Sequence, residues 1–276
     1  MLHRSLMCAL AALLLTITGV AAFDDAMYPN WKGQWTRIGG FNWDPTKPRG
    51  GQQAPLTAEY QAVLDASMAD QARGGQGNYP GYKCVPYGMP GMMLPYLAME
   101  FVITPDITYI MLEHMTQHRR IYTDGRAWPK TFTPTFNGYS IGRWVDEDRD
   151  GRYDTLLIET RGMRGPRSFD SSGLPLHSDN ETIVKERIYL DKADRTIMII
   201  EITTIDNALT QPWSATKKYR RSQNPQPSWS ESVCAESNAH VEIQGKGFML
   251  SADGYLMPAR KDQEPPDFRY FDQAKK

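Results

Sequence analysis

From Ala98 onward, apolar and polar residues alternate with a period of two in short runs bounded by turn residues, which marks strands with one buried face. Ala98–Thr104, Ile107–His114 and Gln117–Thr123 come first, split by Pro105-Asp106 and a brief turn. Asp124-Gly125 reads as a hairpin turn. Gly138–Val145 and Thr155–Thr160 flank an acidic turn; Thr182–Leu190, Thr196–Ile205 and Trp213–Arg221 follow after polar connections. Upstream, Trp31–Arg37 reads as the start of a first strand. Thr57 to Ala72 is the one helical stretch, with Thr57 as cap, Tyr60, Val63, Leu64 and Met68 on one face, and Gly74-Gly75 ending it. Near-even spacing with turns too short for helical crossovers predicts a mainly β fold. The expectation is an antiparallel, lipocalin-like barrel of about eight strands with one N-terminal helix and an irregular C-terminal tail over 222–276. The expected parts are a signal peptide over 1–22, a strand, helix and Met/Pro/Gly-rich loop over 23–97, a barrel body over 98–221, and the tail.

The same alternation places polar groups on apolar faces. Glu186 shares a face with Val184, Ile188 and Leu190; His114 with Ile110 and Leu112; Lys217 with Trp213, Ala215 and Tyr219. A carboxylate on an apolar face is costly unless paired. Glu186 is therefore either bonded to a cation such as Lys217 or lines a ligand cavity. His114 is either a satisfied core histidine or a cavity group. Met89, Met92, Met93 and Met99 lie near Cys84; gap-filling packing explains them more simply than copper ligation.

The N-terminus changes the setting. His3 and Arg4 precede an uncharged apolar run from Leu6 to Val20, and Val20-Ala21-Ala22 supplies small residues for cleavage before Phe23. The run is short for a membrane span, so export to the periplasm or beyond is expected, without stable membrane insertion. Cleavage removes Cys8 and leaves Cys84 and Cys234. In an oxidising compartment these are a disulfide pair or two buried thiols; a bridge would stabilise by about 5 kcal/mol through its long loop. The 276-residue chain carries a formal charge of −1, which excludes a strongly electrostatic partner such as nucleic acid.

The sharpest motif is Asp146-Glu147-Asp148-Arg149-Asp150-Gly151-Arg152-Tyr153-Asp154, a DxDxDGxxD pattern. Alternate aspartates aim hard oxygens at one centre, glycine permits the sharp turn, the Arg152 carbonyl adds an oxygen, and Asp154 completes the set. An EF-hand would carry glutamate where Leu157 stands, and strands flank this loop. It resembles the calcium loops of β-hairpins in integrin-type propeller blades. Structural calcium is the expectation, and a solvated acidic turn the alternative.

Two further resemblances follow. Gly33-Gln34-Trp35 resembles the G-x-W that opens the first strand of lipocalins. Residues 56–221 resemble a widespread family of uncharacterised exported bacterial proteins. The matching residues are Ile121-Tyr122-Thr123-Asp124-Gly125-Arg126, Gly138-Tyr139-Ser140-Ile141-Gly142-Arg143-Trp144, Gly173-Leu174-Pro175-Leu176-His177, Lys185-Glu186-Arg187 and Pro212-Trp213. That family brings no activity with it. The resemblance points to Tyr122, Arg126, Tyr139, Arg143, His177, Glu186 and Arg187 as a common polar site. The preferred functional expectation is a small apolar or amphipathic ligand in the barrel, lined by Trp35, His114, Tyr139 and Glu186. The alternative is an isomerase or hydrolase with His177 or Glu186 as general base and Arg126 or Arg143 holding an anion. Oligomeric state is left open.

Overall fold

The computed structural model describes residues 23–47, 54–131, 133–230, 232 and 234, and the backbone of 240–243, 246–250 and 256–257. Residues 1–22, on which the signal-peptide expectation falls, lie outside the described residues. No helix among the described residues is long and apolar enough to cross a membrane.

Nine strands close into a barrel: β1 (Gln34–Ile38), β2 (Met99–Ile103), β3 (Ile107–Leu112), β4 (Gln117–Tyr122), β5 (Tyr139–Val145), β6 (Thr155–Arg161), β7 (Ile183–Leu190), β8 (Ile197–Ile205) and β9 (Trp213–Arg221). They follow chain order, and β1 closes the ring by pairing with both β2 and β9. The strand read within 23–97 thus completes the body read over 98–221. The backbone of 240–257 forms a separate three-stranded sheet, β10 (His240–Ile243), β11 (Lys246–Leu250) and β12 (Leu256–Met257), within the tail expected to be irregular.

Pairing departs from a pure meander at one place. β4 and β5 run parallel, with Ile121 beside Ser140 and Tyr122 beside Ile141. Parallel neighbours need a connection that returns along the sheet, and residues 123–138 provide it. Asp124-Gly125 therefore opens a crossover rather than a hairpin. The Asp124 carboxylate binds Arg126 twice over, receiving its backbone N–H (3.2 Å) and its guanidinium (2.6 Å).

The helix α1 (Ala58–Ala72) begins where Thr57 Oγ1 accepts the Tyr60 N–H, 3.4 Å away. It packs on the connections at the barrel end opposite the β5–β6 loop, with Thr57 N–H bonded to Ala208 O (2.9 Å) and the Tyr60 ring 5.3 Å from His177. Leu64 packs partly against the core, Val63 stays exposed, and Ser67 is its one buried residue. The Ser67 hydroxyl donates to Ser172 O (3.0 Å) and accepts the Asn78 N–H (2.9 Å). The expected apolar face is replaced by a polar anchor, because α1 caps a loop rather than a hydrophobic surface.

The lumen is filled. Inward residues include Trp35, Met99, Phe101, Ile110, Ile121, Leu156, Ile158, Val184, Ile188, Met198, Ile200, Ile202 and Tyr219, all buried. The segment 88–94 enters one end and adds Met89, Met92 and Met93 to this core, so these methionines pack. Tyr219 Oη donates to Met93 O at 2.5 Å. Gly88 makes the entry feasible: its φ is +60°, and a Cβ there would stand 2.3 Å from Phe136 O. The Cys84–Cys234 disulfide, with Cα atoms 5.4 Å apart, joins this region to the C-terminal segment.

Candidate functional site at the open end of the barrel

The expected site residues occupy separate environments. Glu186 is sealed in the core and forms a two-pronged ion pair with Arg119, not with Lys217: Nη1 to Oε1 is 3.0 Å and Nη2 to Oε2 is 2.5 Å. Arg119 also donates to Thr160 Oγ1 (2.6 Å) and Ser140 Oγ (3.1 Å). This explains a charge on an apolar face, because the partners replace the water that burial removes. It also removes Glu186 from the role of general base. Lys217 instead donates to the Trp43 carbonyl, its ammonium 3.9 Å from the Trp43 ring centroid. Trp35 is fully buried and donates Nε1–H to Trp31 O at 2.8 Å.

His114 lies past the end of β3, in a 3-10 turn outside the lumen. Its Nε2 is 2.9 Å from Tyr87 Oη, and its ring sits between Tyr87 and Tyr96, 5.0 and 5.3 Å away. Burial pulls its pKa down. Tyr139 lies on the outer wall, stacked on Tyr122 at 4.9 Å. Arg126 covers Tyr122 at 3.8 Å and bonds Tyr139 Oη at 3.4 Å. The Asp124 carboxylate, by side-chain hydrogen bonding, holds the Arg126 guanidinium above its usual range. His177 Nδ1 pairs with Asp179 at 2.8 Å. Among the described residues no hydrogen bond or ion pair joins any two of His177, Glu186, Arg126 and Arg143. These four side chains therefore occupy separate places in the described structure.

Open space lies at the end of the barrel opposite the 88–94 segment. There a cavity of about 800 Å³ is bounded by Tyr28, Trp31, Phe101, Ile103 and Leu190, with Lys32, Arg195, Arg221, Asp148, Asp150 and Asp154 around its rim. Two distant segments build it. One is the arm preceding β1; the other is the hairpin loop between β5 and β6. They are tied by Tyr153 N–H to Met27 O and Arg152 Nε to Ala26 O, both 2.8 Å. Tyr28 packs edge-on to Trp144 (5.3 Å) and against Tyr153 (5.2 Å). Trp31 meets Phe101 at 5.1 Å and Trp144 at 4.8 Å. The aromatic floor is thus held from both sides.

Three donors at this end are buried without a partner among the described residues: Trp31 Nε1, Trp144 Nε1 and Arg221 Nε. A buried unmatched donor is costly; of the three residues, Trp31 and Arg221 also border the cavity. Arg221 lies 4.7 Å over the Trp35 ring, and desolvation pulls its pKa down.

In the acidic loop, Asp146, Asp148 and Asp154 each offer a carboxylate oxygen, and the three lie within 4.8 Å of one another. Asp146 also accepts the Asp150 and Gly151 N–H groups at 3.1 and 2.9 Å. Asp154 accepts those of Glu147 and Asp148 at 3.3 and 3.2 Å. Burial pushes the Asp154 carboxyl up, but the Thr155 side chain and these two N–H groups outweigh it and hold the pKa low. Asp150 stands apart from the trio, its Oδ1 accepting the Arg152 N–H at 2.8 Å. Glu147 is bound to Arg187. The donor set is hard oxygen throughout, as calcium requires.

Sequence reasoning missed Arg119 and the mouth. Arg119 was detectable, being two residues before inward Ile121. The mouth left only a weak signal, the density of aromatic residues between Phe23 and Trp35. No protein-family model and no curated protein matches this chain.

Proposed function

We propose that this is an exported binding protein that takes a small amphipathic ligand at the mouth of the barrel, not within its lumen. The carrying observation is the cavity itself: an aromatic floor of ligand-sized volume, beside the buried Trp31 indole N–H, which has no described partner. Such a site favours an apolar body with an acceptor or acidic head on Arg195, since Lys32 is held by Asp25 (2.5 Å) and Arg221 by the Asn30 carbonyl. A calcium ion on Asp146, Asp148 and Asp154 would stiffen the rim without taking part in chemistry. The disulfide fits an oxidising compartment.

The test is calorimetric titration with dodecanoate, a carboxylate on an apolar chain. Trp31→Phe keeps an aromatic floor and removes the N–H, and Arg195→Gln removes a rim charge. Each variant is expected to weaken binding about tenfold, roughly 1.4 kcal/mol. Absence of binding, or equal affinity in wild type and both variants, sinks the reading.

A further inference from the structure

The parallel pairing of β4 and β5 has a second effect on the outer wall. The returning connection, 123–138, carries Trp128 to the edge of the β5–β8 face. There Trp128 lies 4.7 Å from the Arg161 guanidinium and 6.0 Å from the Tyr139 ring. It overhangs a groove of about 500 Å³ whose floor includes the outward residues Ile141 and Leu157.

Charge in this groove is matched except at one place. Glu159 is held by Arg161 (2.5 Å) and Lys185 (3.8 Å). Arg187 binds Glu147 and Glu201, the latter at 3.3 Å, and Glu201 also accepts Tyr189 Oη at 2.8 Å. Arg143 lines the same groove, exposed, with no hydrogen bond or ion pair among the described residues. With the ion-pair partners included, Arg119, Arg143, Arg161, Lys185 and Arg187 stand against Glu147, Glu159, Glu186 and Glu201, which leaves one positive charge beside an apolar floor and an indole.

We propose that this groove is a second ligand site, selective for a small organic monoanion with a flat apolar body. The acid group pairs with Arg143, and the body lies on Leu157 under Trp128. A guanidinium with free N–H groups recognises a carboxylate through a two-pronged, charge-assisted contact, and the indole supplies a planar wall. The site is independent of the barrel mouth.

The experiment titrates the full chain with 1-naphthoate and, separately, with neutral 1-naphthamide. Calorimetry gives the affinity, and backbone and indole N–H shifts in isotope-labelled protein locate it. Wild type is expected to bind naphthoate about tenfold more tightly than naphthamide. Arg143→Gln should lose that preference and leave naphthamide affinity unchanged. Shifts should centre on the Trp128 indole and the β5 and β6 amides. Arg143 is exposed, so this variant should keep the wild-type melting temperature. Trp128→Ala should weaken both ligands. Equal naphthoate affinity in Arg143→Gln, shifts confined to Trp31 and Tyr153, or no binding up to about 10 mM each overturns the proposal.

Discussion

Arg119 and Glu186 face each other across the barrel interior, on β4 and β7, with side chains 1% and 0% exposed. Their two prongs, with Ser140 and Thr160 on the remaining donors, make a closed polar unit inside an apolar core. Breaking such a pair on one side leaves a buried charge unmatched, which costs about 3–5 kcal/mol. Replacing both sides with apolar groups avoids that penalty. We expect Glu186→Gln and Arg119→Met each to destabilise by several kcal/mol in urea unfolding. The double variant Arg119→Met/Glu186→Leu should be far less destabilised than the sum of its single changes. Additive losses would show that the two side chains act separately.

Lys217 gives a pH signature. Burial pulls its pKa down to about 7, opposed by Asp170 and Asp44 and assisted by Arg37. In the unfolded chain it returns to about 10.4. Between these values the unfolded state holds the proton and the native state has released it, so stability rises with pH across this window. The gain is at most a few kcal/mol, from about 1.4 kcal/mol per pKa unit. Tyr219, raised by burial, acts in the opposite sense only near and above the ordinary tyrosine value. The measurement is therefore urea unfolding from about pH 7.5 to about 9.5, where wild type should gain stability and Lys217→Met should show a flatter profile. Parallel profiles would place the native Lys217 pKa near its ordinary value.

Strand positions were legible because alternation is local: each expected strand from β2 to β9 falls within a residue or two of its observed span. Glu186 was legible for the same reason, since Val184 and Ile188 fix its face. Its partner was not, because Arg119 and Arg120 look alike until pairing shows which points inward. The parallel pair was hidden by Asp124-Gly125, a dipeptide that also opens hairpins. Its length, 123–138, was the better signal. His114 continued the β3 pattern on paper, yet the chain turns after Leu112. The mouth was the least legible part, because Trp31 and Trp144 come from segments more than a hundred residues apart. Only closure of the barrel brings their rings to 4.8 Å.

The loop geometry separates two aspartates that the motif treats alike. Asp148 contributes to the oxygen trio, while Asp150 turns its carboxylate to the Arg152 N–H. A cation that binds only the folded state stabilises by about 2.7 kcal/mol at a hundredfold excess over its dissociation constant. For a chain of this size each kcal/mol moves the melting temperature by about 2–4 °C. Wild type should therefore melt several degrees higher in excess calcium than in chelator. Asp148→Asn should abolish the difference, and Asp150→Asn should retain most of it. The N-terminal arm is bonded to this loop at Met27 and Ala26, so amide protons of residues 26–32 should also exchange more slowly with calcium present. A wild-type melting temperature that ignores calcium would leave the loop as an acidic turn. Equal losses in both variants would point instead to all four aspartates of the motif as ligands.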